Sequence, residues 1–279
     1  MSLTVTTVVR RRIGAAALGG VIFAGACATV STQQEVALGA DYSRQINQQL
    51  PLIRDAATVN YINQLGQRIA QANDPRGLRY TFYVVNSAQI NAFAVPGGYI
   101  YVNRGVIERA SNESELAGVL AHEIGHVVER HSIEQLERAQ GANTLLSILY
   151  GAVLQRNPGT LEGAAVQGIG SAVFAGYSRD AEREADAVAN GYLTRVGISP
   201  RGLPTFFAKL LEERQRNPSA VEQWFATHPT TQERISNVQA LIQQTPGASN
   251  TNLSTNSQTF ASIQARVRGL SPQPTDRSR

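Results

Sequence analysis

Residues 121–131 of the chain read AHEIGHVVERH and contain three of the four histidines in the 279-residue sequence. His122 and His126 are four positions apart, so in an α-helix their side chains lie on one face, about one turn apart. Glu123 is one position from His122 and would lie beside an ion that both rings bind. This order of two histidines and a glutamate is the HExxH signature of zinc metalloproteases. The stretch therefore predicts a helix that carries a metal site.

The chemistry of such a site assigns a role to the glutamate. A hydrolytic zinc site has three protein ligands and an open position for water, whose pKa the metal lowers. Glu123 is the predicted general base and then the proton donor to the leaving amine. The alternative is an amphipathic helix with exposed histidines. A predicted capped helix argues against it, because Asn112 can cap the helix and Glu115 stands in the capping-box position.

The motif leaves the third ligand open. His131 is five positions after His126, about 140° round a helix, so it is predicted to be a surface or packing histidine. Cys27 is the only cysteine of the chain, so cysteine ligands are not available to the motif. The third ligand is therefore expected to be a distant histidine or an acid on a second helix.

The best acids lie in residues 178–186, which read SRDAEREAD. Glu182 and Asp186 are four positions apart and share a helix face. Glu184 is about 200° from Glu182 and cannot reach the same target. One carboxylate could bind the metal while the other accepts a hydrogen bond from a ligand histidine, which fixes the orientation of that ring. The alternative is a solvent-exposed helix face with Arg–Glu pairs.

The hydrophobic periodicity predicts an α+β domain that is mostly helical, with a small sheet of about three strands before the motif helix. Residues 142–154 are apolar but too short to cross a membrane, so they are predicted to form packed or lid helices. The other predicted helices are at 32–50, 55–72, 179–196, 201–215, 231–244 and 259–268, and the strands are at 78–85, 91–95 and 99–102.

The first 26 residues have the layout of an export signal. Three arginines at 10–12 precede an apolar run that ends in small residues directly before Cys27. This pattern predicts a lipoprotein signal peptide at 1–26 and lipidation of Cys27; the alternative is a secretory signal cut nearby. Residues 27–244 are then the catalytic domain. Residues 245–279 are predicted to be a low-complexity flexible linker, a short helix and a disordered tail.

The charge of the chain argues against a nucleic-acid partner. The formal net charge is +4, and residues 1–26 contribute three arginines and no acid, which leaves +1 for the remainder. A nucleic-acid-binding surface needs a concentrated basic stripe, and the remainder shows none. The pattern leaves the oligomeric state open.

Four stretches carry a family resemblance: HEIGH at 122–126, SRDAEREAD at 178–186, NAFAVPGGYIYVNRG at 91–105 and HPTTQERI at 228–235. In this order they resemble the zinc metallopeptidases that include bacterial HtpX and BepA and the eukaryotic CAAX prenyl endopeptidases. The likeness spans about residues 35–245. HtpX-like relatives carry transmembrane helices and BepA-like relatives a tetratricopeptide array, and this chain shows neither. It is therefore expected to be a short periplasmic member with a lipid anchor.

The resemblance implies a zincin-like domain of the gluzincin type that binds one zinc ion through His122, His126 and Glu182. It also implies that Asp186 orients a ligand histidine. His228 is expected either to stabilise an oxyanion together with Arg234 or to bind zinc as a fourth ligand that keeps the enzyme latent. A structural His-Pro turn is the third reading of His228.

The resemblance further implies an edge strand that pairs with an extended peptide substrate. Its expected substrate-binding residues are Asn91, Ala92, Phe93 and Ala94. The expected function is cleavage of unfolded or misassembled envelope proteins by a periplasmic enzyme that is anchored to the outer membrane. The alternative is a latent or non-proteolytic, zinc-containing lipoprotein that binds extended polypeptides as a chaperone does.

Overall fold

The computed structural model of the chain describes residues 30–138 and 176–270. The predicted signal peptide with Cys27, the predicted helices of residues 142–154 and the predicted tail beyond residue 270 lie outside these ranges. Within the two ranges, no helix is both long and apolar enough to span a bilayer.

The predicted class, α+β and mostly helical, is confirmed. The helices are α1 Thr32–Gln49, α2 Ala56–Gln71, α3 Arg104–Arg109, α4 Glu113–Val128, α5 Arg179–Arg195, α6 Gly202–Arg216, α7 Pro218–Thr227, α8 Gln232–Gln244 and α9 Gln258–Arg268. Residues 131–138, at the end of the first described range, are helical as well. The strands are β1 Thr81–Val85, β2 Ala92–Val95 and β3 Tyr99–Asn103.

Two of these helices, α3 and α7, are not expected from the sequence. The first has six residues and is too short to show a hydrophobic period. The second begins with Pro218, which is accepted at the first helical position because its missing N–H would have no partner there. Helix α3 follows directly on β3, and only Asn217 separates α7 from α6.

The three strands form one mixed sheet in the order β1-β3-β2, in which β3 is parallel to β1 and antiparallel to β2. The turn between β2 and β3 uses positive φ angles at Gly97 and Gly98, which glycine adopts without a steric cost. Helix α1 packs on one face of the sheet, where Tyr42 and Ile46 pack against the buried cluster of Val85, Val95 and Tyr101. Helices α2 and α4 pack against strands of the same sheet. Because β3 lies between β1 and β2, strand β2 lies at an edge of the sheet.

Helix α4 runs through the centre of the main core, and its residues from Glu113 to Val127 are all buried. It contacts α2, α5, α6 and the sheet. Two glycines allow this close packing. A Cβ atom at Gly125 would lie 2.9 Å from Val188 Cγ2 of α5, and one at Gly118 would lie 2.9 Å from the backbone of Leu203 in α6. The glycine of the motif thus brings α5 against the two histidines.

The segment of residues 245–257 is not the flexible linker that its polar composition predicts. Its backbone pairs with the rest of the domain: Ser254 N donates to Gly197 O (2.9 Å), Ser199 N donates to Ser254 O (2.8 Å), and Ser114 N donates to Thr255 O (3.0 Å). These bonds satisfy polar groups that would otherwise need water. Composition does not reveal them, because the partners are distant in sequence.

Helix α9, which follows this segment, belongs to the same hydrophobic core as α4. Its residues Phe260, Ile263 and Val267 are buried in the main hydrophobic cluster. Gln264 donates to the backbone oxygen of Ala110, at the C-terminal end of α3, over 2.6 Å. The boundary predicted at residue 244 therefore cuts through one hydrophobic core.

Candidate active site

Helix α4 presents the three residues of the motif inside the protein. His122, Glu123 and His126 all have no exposed surface. Asn112 caps the helix as predicted, since its side chain accepts from Glu115 N over 3.1 Å. The Glu115 carboxylate accepts from Ser111 N and not from the cap residue, so the predicted capping box is shifted by one residue.

Helix α5 presents the two predicted acids to α4. Ser178 caps this helix and accepts from Ala181 N over 3.1 Å. Glu182 and Asp186 lie one turn apart, and their exposed fractions are only 2% and 1%. The side chain of Glu184 is 57% exposed, in agreement with its predicted position on another face. The segment is thus not a solvent-exposed charged face on the side that meets α4.

Four side chains bring their metal-binding atoms together: His122, His126, Glu182 and His228. His122 Nε2 lies 3.0 Å from His126 Nε2 and 3.4 Å from His228 Nδ1. Glu182 Oε1 lies 3.3 Å from His126 Nε2 and 3.0 Å from His228 Nδ1. Ligands about 2.0–2.1 Å from a tetrahedral metal are about 3.3–3.4 Å apart. The spacing and chemistry of these donors therefore fit a tetrahedral metal ion.

Glu123 lies beside this cluster without entering it. Both of its carboxylate oxygens lack a hydrogen-bond partner among the described residues, and its nearest cation-forming neighbour is His228 Nε2, 3.4 Å from Oε1. Burial raises the pKa of Glu123. Leaving a buried carboxylate without a donor costs free energy, so such a group points to a function. Its position and basicity suit a residue that takes a proton next to a metal.

Arg234, on α8, joins the acids of α5. Its Nε and Nη2 atoms donate to Asp186 Oδ2 and Oδ1 over 2.5 and 2.8 Å, and Nη1 contacts Glu182. The guanidinium also lies over the ring of Phe207, 4.4 Å from its centre. Asp186 Oδ1 is 3.0 Å from His122 Nδ1, so the carboxylate lies where it can orient that ring.

Neighbouring cation-forming groups lower the pKa of both acids: Arg234 for Asp186, and His228 with Arg234 for Glu182. Burial would raise the pKa of Asp186, but the guanidinium outweighs it, and the pKa is lowered. For Glu182, burial is opposed by His228 and Arg234, which together hold the pKa well below its usual value. Both carboxylates are therefore ionised and can accept hydrogen bonds or bind a cation. Arg234 is directed at these acids, which favours positioning over the predicted oxyanion contact.

His228 lies at the C-terminal end of α7, with no exposed surface. Its Nδ1 atom belongs to the donor cluster and its Nε2 atom faces Glu123. Burial lowers its pKa, but Glu182 and Glu123 raise it more, so the net shift is upward. Of the three readings open at the sequence level, this geometry favours the fourth ligand.

His131 occupies a place that helical periodicity does not predict. It is 3% exposed, and its Nδ1 atom lies 2.8 Å from His126 Nδ1. Helix α4 ends at Val128, Arg130 has a φ of 60°, and a separate helical segment begins at His131. The prediction of a surface position is therefore wrong and that of a packing histidine is right. The 140° separation would have required an unbroken helix.

Tyr177 is a site residue that the sequence does not reveal. Its ring stacks on His126 with centres 3.8 Å apart and an angle of 12° between the planes. Its hydroxyl lies 2.7 Å from Ser132 Oγ. The residue directly precedes the Ser178 cap and has no helical period of its own, so only its tertiary position shows its role.

The predicted substrate strand lies at the edge of the sheet. Asn91, just before β2, accepts at its carbonyl from Asn103 N over 2.9 Å. Ala92 and Ala94 are buried, and Phe93 is half-buried and stacks on Tyr101 with centres 4.8 Å apart. An edge position is what peptide addition requires, and the binding role stays a prediction.

Comparison with known proteins agrees with this geometry. The model of peptidase family M48 matches residues 56–242, more than half of the chain. A beta-barrel assembly-enhancing protease of Yersinia pestis is 38% identical over 229 residues, which cover 78% of this chain and 46% of that protein. The protein of the same name in Escherichia coli K12 is 33% identical over 221 residues, with 77% and 45% covered.

The metalloprotease YcaL of Escherichia coli K12 is 29% identical over 188 residues, which cover 64% of this chain and 71% of the relative. The chain spans about half the length of the two beta-barrel assembly-enhancing proteases. The matched family region includes α4, α5 and His228, which supply the four side chains that could hold a metal ion. The chain therefore belongs to peptidase family M48.

Proposed function

We propose that the chain is a zinc-dependent endopeptidase that hydrolyses peptide bonds of extended polypeptides. The observation that carries this proposal is a buried set of three histidines and one glutamate with donor atoms 3.0–3.4 Å apart in the four pairs given above, next to a carboxylate that has no hydrogen-bond donor among the described residues. Imidazole and carboxylate donors at this spacing suit zinc. One ion per chain is expected, held by His122, His126 and Glu182.

When bound, zinc acts as a Lewis acid that polarises the scissile carbonyl and lowers the pKa of a water molecule. Glu123 takes the proton from water and delivers it to the leaving amine. Burial raises the pKa of its carboxylate, and no described residue donates a hydrogen bond to it. Asp186 holds the ring of His122, and Arg234 holds Asp186. These residues keep the ligand ring in one orientation while the proton moves.

His228 makes the resting state of this enzyme a separate question. Four protein ligands close a zinc site, whereas hydrolysis needs one open position. The Nδ1 atom of His228 lies within the donor cluster, which supports a latent form in which this residue caps the metal. The competing role is donation to the oxyanion after His228 has moved. The His228→Ala variant separates them: cleavage rises if the residue caps the metal and falls if it is an oxyanion donor.

The proposed substrates are unfolded or misassembled envelope proteins. Two observations support this class: strand β2 lies at a sheet edge that can pair with an extended chain, and two of the three relatives named above are called beta-barrel assembly-enhancing proteases. We place the protein in the periplasm, attached to the outer membrane by a lipid at Cys27. Loss of the membrane-bound fraction in a Cys27→Ala strain would support the anchor, and an unchanged fraction would contradict it.

The decisive experiment measures cleavage of casein and metal content in the same preparations. Glu123→Gln is expected to keep its zinc, because Glu123 is not a ligand, and to lose about 10²–10⁴-fold in kcat, the usual size of a general acid–base contribution. Undiminished cleavage by this variant would overturn the mechanism. If neither wild type nor His228→Ala cuts an unfolded chain, the non-proteolytic binding function replaces the proposal.

A further inference from the structure

We propose that His131 is a positioning residue for the metal ligand His126, and that Glu184 is the outward partner of His131. The inference rests on the proposed zinc site, because it concerns how one ligand of that site is held. It adds a second support for the metal ligands, separate from the contact between Asp186 and His122.

The contacts define the hydrogen positions. His126 Nε2 faces the other metal-binding atoms, 3.0 Å from His122 Nε2 and 3.3 Å from a Glu182 oxygen, so Nε2 is its ligand atom. A neutral ligand histidine then carries its hydrogen on Nδ1. This N–H points at His131 Nδ1, 2.8 Å away, which must accept.

An accepting Nδ1 on His131 requires the hydrogen of its own ring to be on Nε2. That atom lies 3.3 Å from Glu184 Oε2, whose side chain is 57% exposed. The two rings therefore form a directed chain, in which the ligand His126 donates to His131 and His131 donates to a carboxylate at the surface. Each ring has one tautomer that satisfies all of these contacts.

The backbone is shaped to bring His131 back to the ligand. Arg130 has a φ of 60°, in the left-handed region that residues other than glycine adopt rarely. Its side chain is held by Glu35 of α1, with Nε donating over 2.9 Å to a carboxylate that is 1% exposed. Glu35 also accepts from Gly97 N in the turn between β2 and β3. Helix α1 and the turn between β2 and β3 thus hold the turn that follows α4.

The residue after His131, in the helical segment of residues 131–138, supports a second face of the same ligand ring. Ser132 Oγ lies 2.7 Å from the hydroxyl of Tyr177, and the Tyr177 ring stacks on His126. The first two residues of this helical segment therefore support His126 twice, through a hydrogen bond at Nδ1 and through a stacked ring. A histidine that only filled space would not need its Nδ1 atom directed at Nδ1 of the ligand.

The test compares His131→Leu with His131→Asn. These side chains have the same branched shape, but only asparagine places an acceptor, Oδ1, where His131 has Nδ1. Zinc affinity is measured by competition with a chromogenic chelator. We expect His131→Leu to bind zinc about 10–100-fold more weakly, the usual loss when the partner of a ligand histidine is removed. His131→Asn is expected to stay within about threefold of wild type, because it restores the acceptor.

Equal affinities for wild type and both variants would overturn the inference, and so would an equal loss in both variants, which would indicate a packing role alone. Thermal unfolding with and without zinc gives a second criterion. A positioning role reduces the stabilisation that zinc adds, whereas a packing role lowers both melting temperatures together. If wild type itself binds no zinc, the proposed function fails as well.

A measurement on the unmodified protein keeps the inference testable if His131→Leu does not fold. Nitrogen NMR of histidine-labelled, zinc-loaded protein reports which ring nitrogen carries each hydrogen. We expect the hydrogen on Nδ1 in His126 and on Nε2 in His131. A hydrogen on Nδ1 of His131 would remove the acceptor and refute the proposed contact.

Discussion

The two histidines of helix α4, His122 and His126, are held in different ways. His122 is held by charge, since its Nδ1 atom faces Asp186 and that carboxylate is bound by the guanidinium of Arg234. His126 is held by rings, since Tyr177 stacks on its face and His131 meets its Nδ1 atom. The contacts of His122 with Asp186 and Arg234, which we call the ionic side, depend on buried charges that must neutralise one another. The contacts of His126 with Tyr177 and His131, which we call the ring side, depend on the path of the chain after α4.

This difference separates two kinds of cost. A buried charge without its partner destabilises the folded state strongly, whereas a neutral ring contact that is lost leaves a smaller deficit. The ionic side should therefore control whether the domain folds without metal. The ring side should chiefly control how well His126 is oriented. The following variants change one side at a time.

Arg234→Met should have the largest effect, because it leaves Asp186 and Glu182 as buried carboxylates without their common cation. Removing one partner of a buried ion pair costs about 3–5 kcal/mol in the free energy of unfolding. Urea unfolding of the metal-free protein measures this. Arg183→Met on the same helix is the matched control, since Arg183 is 55% exposed and its pair with Asp180 should contribute at most about 1 kcal/mol. Equal losses in the two variants would contradict the ionic side.

Asp186→Asn should weaken metal binding and should also destabilise the fold, because Glu182 is then the one carboxylate left to Arg234 among the described residues. Asparagine can still accept from His122 Nδ1, but it loses the charge that makes the ring a better ligand. Zinc affinity should fall about 10–100-fold, which corresponds to about 1.4–2.7 kcal/mol. The measurement is a chelator competition. Asp180→Asn, whose side chain is 86% exposed on the same helix, should leave the affinity unchanged.

Gly125→Ala tests the helix contact that both sides share. The new Cβ would lie 2.9 Å from Val188 Cγ2 and 3.2 Å from Ala185 Cα, so α5 must move away from α4. Overpacking of about 1–3 kcal/mol exceeds the gain of about 0.5–1 kcal/mol for alanine in a helix. Thermal unfolding should show a net loss. Gly191→Ala in α5 is the control: nothing lies within 4 Å of its Cβ, so it should stabilise the protein.

Tyr177→Phe should have the smallest effect. The stack on His126 is retained and only the hydroxyl contact with Ser132 is lost, which costs about 0.5–1.5 kcal/mol in unfolding free energy. Zinc affinity should not change. The double variant with Ser132→Ala should cost less than the sum of the single changes, because both remove the same bond. An additive result would show that the two hydroxyls act independently.

The sequence predicted most of the ionic side because that side lies on regular helices. The spacing of Glu182 and Asp186 puts both on one face of α5, and both face α4 in the structure. Alternation and turn residues likewise located the three strands within a few positions. These features depend on contacts between near neighbours along the chain, which periodicity records.

The sequence did not predict the parts that depend on distant backbone partners. The polar residues 245–257 were expected to be flexible, yet they bond to the backbone near Gly197 and Ser114. Polar composition describes how a segment meets water and cannot tell when another segment replaces that water. Tyr177 was missed for a similar reason: its partner His126 is distant in the sequence, and Tyr177 belongs to no hydrophobic period.

By itself, the sequence determined that two histidines and a glutamate share a helix and that two acids share another, because a helix of fixed pitch places residues four positions apart on one face. The tertiary structure alone decided what surrounds them. Packing at Gly125 brings the acids of α5 to the histidines, and the positive φ of Arg130 turns His131 back onto His126. Pitch is a local property of the backbone, whereas these contacts exist only once the helices have docked.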